Sequence, residues 1–154
     1  MRYFIIMRHA KAEVGEGKSD YDRELVERGW AEADSTASQL AAHGLAPDTV
    51  LCSAARRTRD TLAAVMRHVP GDCVVHLRRS IYEAETVDLR DMLRKTSGQR
   101  VLVIGHNPTV HELSMDFAGQ DGGALSRGFP TATAAVFTLG FGLDTLKFDG
   151  LINP

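Results

Sequence analysis

The chain has 154 residues, with 18 lysines and arginines against 20 aspartates and glutamates, so its formal net charge is −2 at pH 7. A balance this close to neutral excludes a global basic field that recruits nucleic acid or a membrane surface, and any anion must be bound by a local cluster of charge. The hydrophobic fraction of 44% and the charged fraction of 25% are those of an ordinary soluble globular protein, and the length predicts one domain over residues 1–154 without support from a metal or a disulfide.

The two cysteines, Cys52 and Cys73, each lie in a short apolar run. This setting favours reduced thiols in the core over a disulfide, which would fit a secreted protein. The apolar run at residues 3–7 is too short for a signal peptide or a membrane span. We therefore expect a cytoplasmic protein.

Apolar runs, and apolar positions that repeat every three or four residues, predict alternating strands and helices. Strands are expected over residues 2–7, 49–53, 72–77 and 101–105. Helices are expected over residues 26–43, 55–68, 86–96 and 108–118. Within them, Trp30 and Val87 are expected on the apolar faces.

Glycine and polar residues predict loops at residues 11–22 and 119–131. Residues 133–139 and 145–148 are predicted to form a closing hairpin across Gly140-Phe141-Gly142. The alternation of strand and helix predicts a three-layer α/β/α sandwich around a mostly parallel sheet, with antiparallel strands at an edge.

Charged and polar residues follow three of the predicted strands directly. Arg8-His9 follows the first, Ser53 and then Arg56, Arg57 and Arg59 follow the second, and Gly105-His106-Asn107-Pro108 follows the last of the four. Ligands of open α/β sheets bind outside the carboxyl ends of the strands. These ends therefore predict a pocket for a phosphoryl group, although each alone also fits a strand reaching solvent, a structural histidine or a solvated basic face.

The chain resembles the histidine phosphatase superfamily, which includes cofactor-dependent phosphoglycerate mutases, and within it the short bacterial phosphohistidine phosphatases of the SixA type. The segments that carry the likeness are Arg8-His9-Ala10, Arg23–Gly29, Ser53–Thr61, Gly105–Pro108 and Phe129-Pro130-Thr131. The resemblance implies a phosphoglycerate mutase-like fold, and it selects Arg57 as the arginine that turns inward.

Three residues depart from the family pattern without removing a catalytic group. Ala10 stands in place of a glycine, and Ala54 stands in place of a proline. Val26 replaces a threonine that would cap the first long helix. The cap is therefore expected from elsewhere, such as Asp22 or a water.

The resemblance implies that His9 is the nucleophile and forms a phosphohistidine enzyme that water hydrolyses. Arg8, Arg57 and His106 would bind the phosphoryl oxygens, with no cofactor and no metal. Glu83 is the candidate general acid, although a solvated residue at the start of a helix is an equal alternative, and Glu85 lies in the same region. His111 is expected to be exposed.

The leading interpretation is a metal-independent phosphatase that acts on phosphohistidine of a protein, because imidazole leaves more readily than an alkoxide. One alternative is a phosphatase of small phosphomonoesters, or a mutase, on the same scaffold. The other is a phosphate-binding module without catalysis. The expected partner is a phosphohistidine-containing protein or a small phosphorylated substrate, and neither nucleic acid nor membrane is expected.

Overall fold

The computed structural model describes residues 1–140 and 145–154, and in these ranges the strands form a single six-stranded sheet. The strands are β1 (Arg2–Arg8), β2 (Thr49–Ser53), β3 (Val74–Arg78), β4 (Arg100–Gly105), β5 (Ala134–Leu139) and β6 (Leu146–Ile152). The helices are α1 (Glu27–Ala42), α2 (Arg56–Met66), α3 (Arg79–Tyr82), α4 (Thr86–Arg94) and α5 (Thr109–Ala118). Two 3-10 segments cover Asp20–Asp22 and Gly119–Leu125.

The sheet order is β3-β2-β4-β1-β5-β6. The first four strands of the chain are parallel to one another, whereas β5 is antiparallel to both β1 and β6. The predicted sandwich with antiparallel edge strands is therefore confirmed. The pairing of the last two strands is also confirmed, while the Phe141-Gly142 part of the predicted turn lies outside the described residues.

Alternate residues of the buried strands supply a core on each face of the sheet, as the period of a strand requires. Ile5 and Met7 of β1 pack with residues of α1 and α2 on one face. Phe4 and Ile6 pack with residues of α4 and α5 on the other. Both cysteines are free thiols, but only Cys52 lies in the core as predicted, since Cys73 is half-buried at its edge. No helix in the described part of the chain has the length and hydropathy needed to cross a membrane.

Two residues that periodicity placed on the apolar faces of helices are exposed instead, so these two predictions were wrong. Trp30 is 38% exposed because Gly29, one position around α1, takes the inner place in the first turn, in line with Ala33 and Ala37. Val87 is 53% exposed, since the inner face of α4 carries Leu89 and Leu93, and residues two apart on a helix point different ways.

Two predictions about chain segments were also wrong. Asp22 does not cap α1, because its carboxylate accepts a hydrogen bond from the Ser19 hydroxyl at 2.9 Å, and Val26 makes no side-chain cap. The regions predicted as loops at residues 11–22 and 119–131 contain the 3-10 segments Asp20–Asp22 and Gly119–Leu125. The short helix α3 was not predicted.

Gly29 is required by a close approach between α1 and the segment after β1. A Cβ atom at Gly29 would lie 2.1 Å from the carbonyl oxygen of Lys11. The amide of Val26 donates to the same oxygen at 3.1 Å, and Ala12 bridges to Leu25. The start of α1 is therefore locked against the residues that directly follow His9.

We expect Gly29→Ala to lower the free energy of unfolding by about 1–3 kcal/mol, because rigid backbone must move to admit the methyl group. The same movement displaces the residues next to His9, so turnover falls as well. Gly71→Ala is the matched control, since a Cβ there meets no atom within 4 Å. Denaturant unfolding and activity of both variants check this; equal stability of the two would contradict it.

Candidate active site

The parallel pairing of β1, β4 and β2 brings three strand ends together at one edge of the sheet. Arg8 pairs with Gly105 in register, and the amide of His9 donates to the Gly105 carbonyl oxygen at 3.0 Å. His106 directly follows β4, and its ring centroid lies 5.4 Å from that of His9. Sequence-distant motifs thus meet because neighbouring parallel strands end at the same level.

The hydrogen bond of Nδ1 of His9 identifies the protonated nitrogen of the ring. Nδ1 lies 2.7 Å from the carbonyl oxygen of Ala10, and a carbonyl can only accept, so the proton is on Nδ1. Nε2 therefore carries a lone pair when the ring is neutral. The amide of Ala10 donates to Oγ1 of Thr61 at 3.0 Å, and that hydroxyl donates to the Arg57 carbonyl oxygen at 2.8 Å, so α2 fixes the residue that orients the ring.

Of the three arginines near the start of α2, Arg57 turns toward His9. Its side chain is 7% exposed, and its Nε–H donates to Nε2 of His9 at 3.3 Å. Arg56 pairs instead with Asp60 at 2.9 Å, and Arg59 is exposed.

Two buried side-chain nitrogens at this edge have no hydrogen-bond partner among the described residues: Nε of Arg8, which is a donor, and Nδ1 of His106. Arg8 is held by a bond from Nη1 to the Phe129 carbonyl oxygen at 3.2 Å, and Nε2 of His106 lies 2.8 Å from Oγ of Ser53. Buried polar groups are normally paired. An unpaired guanidinium N–H and a second arginine at one place are suited to an anion with several oxygens.

Burial keeps both histidines neutral at pH 7. It lowers the pKa of His9 to about 3, and the positive charge of Arg57 and Arg8 and the nearby His106 add to this, while the Ala10 carbonyl opposes it. Burial likewise lowers the pKa of His106 to about 4, with Arg57 adding to the effect and Asp20 opposing it. A neutral His9 with its proton on Nδ1 has a nucleophilic nitrogen at Nε2.

Asp20 and Tyr82, which sequence analysis missed, border the site. The Asp20 carboxylate accepts from Nη2 of Arg57 at 3.0 Å and from the Tyr82 hydroxyl at 2.8 Å, and its other oxygen accepts from Nη1 of Arg23 at 2.9 Å. The Tyr82 ring lies edge-on to His106 at 5.5 Å. Nothing in the polar loop distinguishes Asp20 from Asp22, so the sequence alone carried no signal for it.

The structure does not join Glu83 to the histidines by any contact in the described ranges. Its carboxylate is exposed and accepts from Nε of Arg79 at 3.3 Å. Glu85 lies at the start of α4, where its amide donates to the Asp88 carboxylate at 3.0 Å. It has no described contact with the histidines either. The assignment of Glu83 as general acid stays a prediction.

His111 is not exposed as predicted, because it is half-buried and its Nε2–H donates to the Leu125 carbonyl oxygen at 2.7 Å. This bond ties α5 to the 3-10 segment beside the site. Residues 1–140 and 145–154 hold no cluster of three or more histidine, cysteine, aspartate or glutamate side chains placed to bind a metal ion.

Comparisons with known proteins match both the sequence and the fold of this chain. The sequence pattern of the histidine phosphatase superfamily (branch 1) matches residues 4–89, more than half of the chain. An uncharacterized protein of Mycobacterium tuberculosis is 35% identical over 84% of this chain and 85% of its own. Among solved structures, a SixA protein from Agrobacterium tumefaciens matches with a TM-score of 0.88 at 31% identity, over 99% of this chain and 98% of that one. The protein histidine phosphatase SixA complexed with tungstate matches at 0.85 and 24% identity, over 99% and 97% of the two chains, and shows the same fold.

We expect His9 of the phosphate-free protein to stay neutral, with its proton on Nδ1, between about pH 5 and about pH 8. The pKa of His9 in the folded protein, about 3, lies below the ordinary 6.5, so the unfolded chain binds the proton first as the pH falls. The contribution of the neutral His9 ring to the free energy of unfolding is therefore present above pH 6.5 and is lost as the pH falls toward 3.

Nitrogen-15 NMR of labelled histidines across this pH range checks the prediction, with His9→Ala used to assign the resonance. A His9 ring that titrates near pH 6.5, or one with its proton on Nε2, would contradict it.

Proposed function

The chain belongs to the histidine phosphatase superfamily, and from this premise we propose that it removes phosphate from phosphohistidine through a covalent intermediate on His9. The chain is a phosphatase. The mechanism and the substrate are the parts proposed here.

One observation carries the proposal: Nε2 of His9 lies among the side chains of Arg57, Arg8 and His106, two of which have an unpartnered buried nitrogen. The Nε–H of Arg57 donates to this nitrogen at 3.3 Å, while Nε of Arg8 and Nδ1 of His106 lack partners among the described residues. A phosphorus atom bonded to Nε2 would bring its oxygens to these side chains. Arginine suits this task because its planar group meets two oxygens at once.

In the first step, Nε2 of His9 attacks phosphorus and the bond from phosphorus to the substrate nitrogen breaks. The electron pair of that bond stays with the substrate imidazole, which leaves as a neutral ring when its second nitrogen carries a proton. Arg8, Arg57 and His106 stabilise the charge that spreads over the phosphoryl oxygens, and such placed donors supply most of the rate in phosphoryl transfer.

In the second step, water attacks phosphorus and the bond from phosphorus to Nε2 breaks. His9 leaves as a neutral imidazole because Nδ1 has kept its proton, held on the Ala10 carbonyl oxygen. The proton of the water goes to the released phosphate. Two displacements on a good leaving group replace one difficult displacement.

The surroundings of the carboxylates favour a nitrogen leaving group over an alkoxide. Asp20 is the carboxylate bonded to Arg57, and hydrogen bonds from Tyr82, Arg23 and Arg57 hold its pKa well below the ordinary value, so it is ionised and has no proton to give. Glu83 is exposed and paired with Arg79. A labile bond between phosphorus and nitrogen needs less acid catalysis than a phosphate ester. The similarity of this chain to phosphohistidine phosphatases of the SixA type also supports such a substrate.

We expect phosphate release in EDTA from a phosphohistidine peptide to exceed that from p-nitrophenyl phosphate and sugar phosphates. His9→Ala abolishes turnover of every substrate, and His106→Ala lowers it by ~10²–10³-fold because one oxyanion donor is lost. His43→Ala is the matched control, since His43 lies exposed at the end of α1.

The alternatives give other results. Fast, saturable turnover of small phosphate esters alone would keep the intermediate but move the substrate class to small phosphomonoesters. Oxyanion binding without any turnover would indicate a phosphate-binding module. Full activity of His9→Ala would refute the mechanism.

A further inference from the structure

Both terminal nitrogens of the Arg57 guanidinium, Nη1 and Nη2, bind Asp20. Its Nη1 donates to the backbone carbonyl oxygen of Asp20 at 2.7 Å, and its Nη2 donates to the carboxylate of the same residue at 3.0 Å. The Nε–H on the inner side donates to His9. Arginine has five N–H donors in a fixed plane, so a residue that holds the outer end also sets the direction of the inner side.

We propose that Asp20 is a positioning residue of the reaction. By binding Nη1 and Nη2 of Arg57, it directs the Nε–H of Arg57 toward the phosphoryl group on His9. The inference rests on the proposed function, because it assumes that Arg57 contacts the phosphoryl oxygens.

Asp20 is itself fixed from two further directions. The Tyr82 hydroxyl, at the end of α3, donates to the same carboxylate oxygen that receives Arg57, at 2.8 Å, and Arg23 donates to the other oxygen at 2.9 Å. The loop after β1, α2 and α3 therefore meet at one carboxylate. This convergence makes Asp20 part of the framework of the site and not a surface charge that happens to lie nearby.

The role of Asp20 is orientation more than attraction. Its side chain is 53% exposed, and pairs that face water are screened and contribute little to stability. A long arginine side chain has many rotamers, however, and a donor displaced by about 1 Å from its target can lower a rate by ~10²-fold. The two bonds to one residue remove that freedom.

Two other roles for Asp20 predict different behaviour. As a general acid or base it would add a limb to the pH profile. As an anion competing with phosphate for Arg57, it would weaken oxyanion binding, and its removal would tighten binding.

The test compares Asp20→Asn, Asp20→Ala and Tyr82→Phe with Asp22→Asn, a matched control whose carboxylate bonds only the Ser19 hydroxyl among the described contacts. The substrate is whichever is turned over fastest in the assay above, and tungstate is the oxyanion inhibitor. We expect kcat to fall ~10-fold in Asp20→Asn and ~10²-fold in Asp20→Ala, with a smaller rise in KM and weaker tungstate inhibition. Tyr82→Phe shifts the same quantities less, and Asp22→Asn leaves them unchanged.

The pH profile of Asp20→Asn should keep its shape and lose only height, because Asp20 stays ionised across the assay range. Thermal unfolding of each variant shows whether it is folded, and the conservative Asn and Phe changes keep the test valid if Asp20→Ala is not.

A double-mutant cycle separates positioning from other effects. In an Arg57→Lys background, whose ammonium cannot form the same planar grip, we expect Asp20→Asn to lower kcat less than ~2-fold further. Full activity of Arg57→Lys would instead defeat the role of Arg57 in the proposed function, whatever Asp20 does.

Three results would overturn the role of Asp20 while leaving the proposed function intact. These are kinetics of Asp20→Asn equal to those of Asp22→Asn, tighter tungstate binding in Asp20→Asn, and an equal effect of Asp20→Asn in the wild-type and Arg57→Lys backgrounds. Loss of a limb of the pH profile would assign Asp20 to acid or base catalysis instead.

Discussion

The hydrogen bond from Nδ1 of His9 to the carbonyl oxygen of Ala10 governs what this pocket can do, because it decides which nitrogen of a buried ring carries the proton. With Nδ1 protonated, Nε2 keeps the lone pair that the proposed attack on phosphorus requires. The same proton makes His9 a neutral leaving group when water attacks, so one bond serves both halves of the proposed reaction. Burial keeps the ring neutral, and it also removes the solvent that would compete for the ring nitrogens.

Contacts behind the ring hold that carbonyl in place, and they explain motif residues that lie outside the proposed phosphate site. The Thr61 hydroxyl accepts from the Ala10 amide and donates to the Arg57 carbonyl oxygen, so the segments that carry His9 and Arg57 are joined by one side chain. Gly29 admits the Lys11 carbonyl oxygen against the first turn of α1. Ser53, at the end of β2, contacts Nε2 of His106. The orientation of two imidazoles therefore depends on side chains from several separate elements.

The sequence predicts the sheet and the strand ends well, because long apolar runs that stop at Arg8-His9 or Gly105-His106 are strong local signals. It predicts which arginine turns inward only through the family motif, since Arg56 and Arg57 look alike by periodicity. It does not reveal Asp20 or Tyr82, whose importance arises from tertiary contacts between a polar loop and α3. It also misplaces Trp30, because a glycine had taken the inner position on α1.

The most direct test of the account is the site of phosphorylation in the intermediate. The protein is mixed rapidly with its fastest substrate, quenched in alkaline denaturant in which phosphohistidine survives, and examined by peptide mass spectrometry and phosphorus-31 NMR. The account predicts one phosphoryl group on Nε2 of His9. A phosphoryl group on Nδ1 or on another residue, or turnover with no phosphoenzyme, would contradict it.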